Sequence, residues 1–286
     1  MSEDAKWPRA ASLISKDPSP VGLIDIPAHQ TSISPTNAHL TPAAIREALK
    51  RYSTFSYTTN QDLSQISIED LGAIQDPDEN EQETQRTISQ AGKKLTIALG
   101  GDNSITYAAA LGVFNGDLTN AGLITLDAHH DLRDGISNGS PVRRLIEAGL
   151  SPENIVQIGI NDFSNSASYA QLAKDLGITV ITRTQVGEIG IAASCKLALE
   201  KMPGRVFVDF DVDVCDRSVV PGCPASAPGG LSAYELRQAA RILISDARVL
   251  GLDITEIDAS KDAEDQRTVR LGALVVLEGL AGYLAR

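Results

Sequence analysis

Four clusters of residues along the chain carry groups able to hold a metal ion or move a proton. Asp127-Ala128-His129-His130-Asp131 follows an apolar run over residues 122–126. Charged residues at the end of a buried strand are costly unless something binds them. Carboxylate oxygens joined by an imidazole suit Mn²⁺ or another hard-to-borderline divalent ion; capping and loop hydrogen bonding by the aspartates is the alternative. A second apolar run, from Arg205, leads into Asp209, Asp211, Asp213 and Asp216. Period two puts the first three on one face of an extended chain, where their repulsion calls for a cation unless solvent screens it. Leu99-Gly100-Gly101-Asp102-Asn103-Ser104 reads as a tight turn leaving a strand, with Asn103 able to aim an amide oxygen into a crevice. Asp253, Glu256 and Asp258 emerge from a third acidic strand end. There, Glu256 can accept hydrogen bonds from an amidine or guanidine, or simply remain solvated.

Such residues need strands to converge them. Short β-branched runs at Val21–Ile26, Leu95–Leu99, Gly122–Leu126, Asn154–Ile160, Ile178–Thr182, Arg205–Phe210 and Val249–Ile254 predict strands. Helical spacing predicts helices over Pro42–Arg51, Ile105–Val113, Pro141–Gly149, Tyr169–Asp175, Ala233–Ser245 and Thr268–Leu284. This alternation implies an α/β fold, a three-layer αβα sandwich with a mostly parallel central sheet. Ligands gather at the carboxyl ends of strands in such sheets, which brings the four clusters together. The acidic, polar stretch Thr58 to Glu83 reads as an exposed connection or irregular helix, and residues 1–20 as a polar N-terminal extension of a single domain over 1–286.

Composition narrows the partners. The 286 residues carry a net charge of −12, which works against nucleic acid and anionic membrane. No apolar stretch is long enough to span a bilayer, and the first twenty residues do not read as a signal peptide. Cys195, Cys215 and Cys223 are odd in number and form no paired zinc spacing, so a cytoplasmic protein with buried, incidental thiols is expected. Taken alone, Asp211 and Asp213 resemble the opening motif of haloacid-dehalogenase-like phosphatases, but that motif opens its domain, and here some two hundred residues precede it.

Together and in this order, the clusters resemble the ureohydrolase family of arginases, agmatinases and formimidoylglutamases, over Leu99 to Ile257 and on to Asp265-Gln266-Arg267-Thr268. The family's Gly-Gly-Asp-His-Ser, Asp-Ala-His-x-Asp and Asp-x-Asp motifs correspond to Gly100–Ser104, Asp127–Asp131 and Asp211 with Asp213. The resemblance implies an arginase-like fold and a binuclear Mn²⁺ centre held by Asn103, Asp127, His129, Asp131, Asp211 and Asp213. Asn103 stands where the family has histidine, which implies that one metal site is weak. Where arginases and agmatinases carry a histidine in a His-Gly context, this chain has Asn138-Gly139-Ser140-Pro141, similar to the formimidoylglutamase loop.

The implied activity is hydrolysis of N-formimidoyl-L-glutamate to L-glutamate and formamide, a step of histidine degradation, by a metal-bridging hydroxide. Asp131 and Glu256 are then catalytic, and Arg133, Asn138, Ser140, Arg144 and Glu256 bind substrate, with Arg143 a further candidate clamp. Alternatives are another amidinohydrolase, such as an agmatinase or guanidinobutyrase, and a non-catalytic member weakened by Asn103. The family also implies a homo-oligomer, trimeric or hexameric, with a small-molecule amidine as partner.

Overall fold

The computed structural model describes Asp4 and residues 6–286. Its strands are β1 (Ile14–Ser15), β2 (Val21–Ile26), β3 (Phe55–Ser56), β4 (Gln61–Asp62), β5 (Ile68–Ala73), β6 (Leu95–Gly100), β7 (Ala121–Leu126), β8 (Ile155–Ile160), β9 (Thr179–Thr182), β10 (Arg205–Asp211) and β11 (Val249–Thr255). Its α-helices are α1 (Thr41–Leu49), α2 (Glu81–Ala91), α3 (Ile105–Val113), α4 (Pro141–Glu147), α5 (Ala167–Leu176), α6 (Arg183–Ile189), α7 (Ile191–Lys201), α8 (Ala233–Ile244) and α9 (Arg267–Leu284). Nine strands form one sheet in the order β1-β5-β2-β6-β11-β10-β7-β8-β9, and every pairing in it is parallel.

Helices cover both faces, which is why the inner strands are apolar throughout rather than alternating. Leu23, Ile97, Leu126 and Val208 pack with Ile45 of α1, Ala198 of α7, Leu236 of α8 and Val276 of α9. Their neighbours Ile24, Ala98 and Leu123 face the other way, against Ile88 of α2, Ala109 of α3 and Val142 of α4. Local sequence sets the helix boundaries. In α8, Ser232 and Glu235 cap each other's backbone amides in a capping box, while Leu236, Ala239, Ala240 and Leu243 form the buried stripe.

The expected three-layer sandwich is what the chain forms. The stretch Thr58 to Glu83, read as connection or irregular helix, instead contributes β5 to the sheet and opens α2. Only Ile68 of β5 is buried, since charged Glu69 and Asp70 sit near the sheet edge, and that hid the strand from a hydrophobicity pattern. Part of the stretch over residues 1–20 lies outside the described residues; of the rest, Ile14–Ser15 pairs with β5. No helix among the described residues is long and apolar enough to cross a membrane. Cys195, Cys215 and Cys223 are free and buried.

Candidate metal centre

The four clusters leave the carboxyl ends of β6, β11, β10 and β7, which are consecutive neighbours in the middle of the sheet. The turn after β6 passes so close to the segment after β2 that a Cβ on Gly101 would lie 1.8 Å from the Ala28 carbonyl oxygen, so only glycine fits. Gly101 also accepts the Glu256 N–H at 3.0 Å, tying the β6 turn to the end of β11. Asp131 and Glu256 both adopt left-handed backbone conformations, at φ 53° and 63°. Such strain in non-glycine residues concentrates at functional sites.

Asp127, His129 and Asp213 offer ligand atoms that all lie within 4.8 Å of one another. His129 Nδ1 stands 2.7 Å from Asp213 Oδ2 and 3.5 Å from Asp127 Oδ1. Backbone amides brace the carboxylates: Ala128 N–H donates to Asp213 Oδ1 at 3.0 Å, and Asp213 N–H to Asp211 Oδ1 at 2.8 Å. That last bond bends the chain, so β10 stops at Asp211 and residues 212–214 form a 3-10 turn. The expectation of one extended face carrying Asp209, Asp211 and Asp213 is therefore corrected. Asp209 instead sits on the strand in register with Asp253, and Asp213 reaches the cluster through the turn.

Burial, and then the charges of Asp131 and Asp213, raise the Asp127 carboxyl well above the usual range, and burial and Asp213 do the same to Asp211. Burial also lifts Asp131 to about 7. Burial works against a charged His129, yet Asp213 and its neighbours carry that imidazole up to about 10. Asp127 Oδ2 is buried with no hydrogen-bond partner among the described residues. An oxygen-rich donor set with one imidazole, closely packed carboxylates and an orphaned carboxylate oxygen fit a hard divalent cation.

Asn103 is fully within this cluster, but its amide is turned. Nδ2 donates to Asp131 Oδ2 at 2.7 Å, while Oδ1 accepts from the hydroxyls of Thr106 and Thr255, each at 2.9 Å. Its oxygen therefore does not face the carboxylates in the way a ligand would. Thr106 has one hydroxyl proton and a second acceptor, Asp253 Oδ2 at 2.8 Å. The same threonines can also accept from the amide nitrogen, so a half-turn of the side chain would bring Oδ1 to Asp131 Oδ2, acceptor against acceptor, an arrangement that calls for a cation or a proton between them.

A cavity of about 470 Å³ opens above the cluster, lined by His129, Asp131, Asp211, Asp213, Glu256, Asn138 and Arg133 among others. Glu256 is buried, which lifts its carboxyl to about 8. Its Oε1 accepts from the Asn103 N–H at 2.8 Å and from Asn138 Nδ2 at 2.9 Å. Arg133 is exposed on the cavity wall, the only arginine or lysine there, and makes no ion pair among the described residues.

Two expected substrate contacts are engaged elsewhere. Arg144 pairs through both terminal nitrogens with Glu81 at 2.6 Å and lies 3.8 Å over the Tyr107 ring, on the α2–α3 side of α4. Ser140 is buried and closes its own turn, donating to the Ser137 carbonyl at 2.8 Å and accepting the Ser137 N–H at 2.9 Å. Arg143 pairs with Asp134 and Glu147 at the surface. His130, to which the sequence motifs give no role, also lines the cavity. Gln157 Nε2 donates to the His130 carbonyl at 3.1 Å, so Gln157 Oε1 must accept from His130 Nδ1–H at 2.7 Å, which leaves Nε2 as an acceptor. The signal was a glutamine at the centre of the buried strand β8.

The arginase family profile matches residues 19–282, and the chain belongs to the arginase family. Formimidoylglutamase of Halalkalibacterium halodurans is 38% identical over 277 residues, 91% of this chain and 86% of that protein. The crystal structure of formimidoylglutamase from Bacillus subtilis superposes with a TM-score of 0.90 at 31% identity, covering 99% of this chain and 94% of that one. Trypanosoma cruzi formiminoglutamase with Mn²⁺ shares the fold, with a TM-score of 0.91 at 24% identity over 98% of this chain and 99% of that one.

Proposed function

We propose that this chain is a metal-dependent hydrolase that converts N-formimidoyl-L-glutamate to L-glutamate and formamide. The observation that carries the reading is the pairing of Glu256, buried and able to take an amidine N–H, with Arg133, the arginine on the cavity wall that makes no ion pair among the described residues. An amidine that bears carboxylates matches both ends. Agmatine carries an amino or guanidino cation at each end, so one of them would face Arg133 with like charge. The full-length similarity to formimidoylglutamases supports the same substrate.

Asp127, His129, Asp131, Asp211 and Asp213 would hold two Mn²⁺ ions, which supply positive charge that polarises the amidine and acidifies a water molecule. Glu256 orients the formimidoyl group through its nitrogen, and Arg133 fixes the far end through a charge-assisted hydrogen bond. Water adds to the formimidoyl carbon, and the bond from that carbon to the glutamate nitrogen breaks. Asp131 takes one proton from the water and returns it to the departing amine, and the second water proton passes to the formimidoyl nitrogen, which leaves as the NH2 of formamide. We read the protein as cytoplasmic and homo-oligomeric, trimeric or hexameric, on the strength of its family and composition.

The test is a panel of N-formimidoyl-L-glutamate, arginine and agmatine assayed with Mn²⁺ and other divalent ions, with bound metal measured on the same sample. Turnover of the first substrate alone is expected. Preference for agmatine would remove the dicarboxylate assignment, and inactivity on all three with metal bound would favour a non-catalytic member.

A further inference from the structure

We propose that Asn138 is a positioning residue, which fixes the wall of the cavity and the Glu256 carboxylate to each other, rather than a group that contacts substrate. The inference rests on the activity proposed above. Asn138 Oδ1 accepts the Ile33 N–H at 3.0 Å, and its Nδ2 donates to Glu256 Oε1 at 2.9 Å. A backbone N–H can only donate, so the amide oxygen must face Ile33 and the nitrogen must face Glu256. Both polar atoms are thus engaged within the protein.

The three joined segments are remote in sequence. Ile33 and Ser34 line the cavity from the connection between β2 and α1, Glu256 follows β11, and Asn138 lies in the loop between β7 and α4. Glu256 receives both of its hydrogen bonds on Oε1, from Asn103 and Asn138, and Oε2 has no partner among the described residues. The carboxylate is thereby held with one oxygen occupied and the other turned to the cavity. A side chain at this position must accept from one neighbour and donate to the other, which an amide does and a carboxylate or aliphatic group does not.

The experiment compares wild type with Asn138→Asp and Asn138→Ala, each loaded with Mn²⁺, by steady-state kinetics on N-formimidoyl-L-glutamate and by hydrogen exchange over residues 29–36. Asn138→Asp keeps an oxygen for the Ile33 N–H but sets a second carboxylate beside Glu256. Its kcat is expected to fall about 10- to 100-fold, the weight of one hydrogen bond to a charged group, with little change in KM and with wild-type exchange. Asn138→Ala should show the same loss of kcat, a higher KM and faster exchange over residues 29–36. A rise in KM with unchanged kcat in Asn138→Asp would mean direct substrate contact and overturn the proposal, as would wild-type exchange in Asn138→Ala. If wild type does not turn over N-formimidoyl-L-glutamate, the activity assignment fails on its own; the exchange comparison still decides whether Asn138 anchors the wall.

Discussion

Asn103 Nδ2 donates a hydrogen bond of 2.7 Å to Asp131 Oδ2. The amide therefore supports a carboxylate in this arrangement and adds no ligand nitrogen. Asn103→His is expected to tighten Mn²⁺ binding about 10- to 100-fold, a range typical of changes around a metal site. Isothermal titration on metal-stripped protein measures it, and an unchanged affinity would mean that position 103 lies outside the shell.

The cluster also sets how the stripped protein responds to pH. Asp131 is raised to about 7, Asp253 to about 7 and Glu256 to about 8, so in the folded state these acids hold protons that the unfolded chain has released. Stability then falls with rising pH from the ordinary carboxylate range to about 8, because the folded state binds more protons. His129, raised to about 10, adds stability that is complete below the ordinary histidine range and is lost as pH climbs through about 10. The metal-free melting temperature should therefore drop between pH 5 and 8, and Mn²⁺ should restore it most at the alkaline end. Calorimetry across that range with and without chelator is the check; a melting temperature that rises with pH in chelator would contradict it.

Asp131 is assigned the proton transfer. Asp131→Asn should lower kcat at least about 100-fold, within the range for general acid–base groups, while the protein stays folded. Turnover equal to wild type would disprove the role.

Arg133 and Arg144 both read from the sequence as substrate-binding cations, and the fold separates them. Arg133→Ala should raise KM for the dicarboxylate about 10-fold or more, the loss of a hydrogen bond to a charged group, with little change in melting temperature. Arg144→Ala should do the reverse, costing about 1–3 kcal/mol of stability by stranding Glu81 and uncovering Tyr107, with KM unchanged. The two variants exchanging these phenotypes would refute the placement of Arg133 against substrate.

Much of the site was legible because its chemistry is local. Asp127, His129 and Asp131 share one five-residue segment, and the strands that deliver them are apolar enough to read without a structure. What remained hidden depended on partners remote in sequence. Arg144 is claimed by Glu81, 63 residues away, and Asn138 by Ile33, 105 away. Asp211 turned the chain at Asp213, a hydrogen bond that a period-two pattern does not contain. Strand β5 was lost because its register is set by the sheet edge rather than by its own hydrophobicity.

The strand order has a consequence for how the molecule is made. β11 is the last strand in sequence, yet it lies between β6 and β10, in the middle of the sheet. Until residues 249–255 emerge and insert, the strands before them form two blocks with bare inner edges, and Glu256 has no place to stand. Closing that gap joins parts of the chain some 150 residues apart, a slow kind of step that leaves apolar strand edges open to wrong partners meanwhile. A nascent chain stalled before β11 would thus be sticky and would lack Glu256, although the carboxylates after β7 and β10 could already stand side by side.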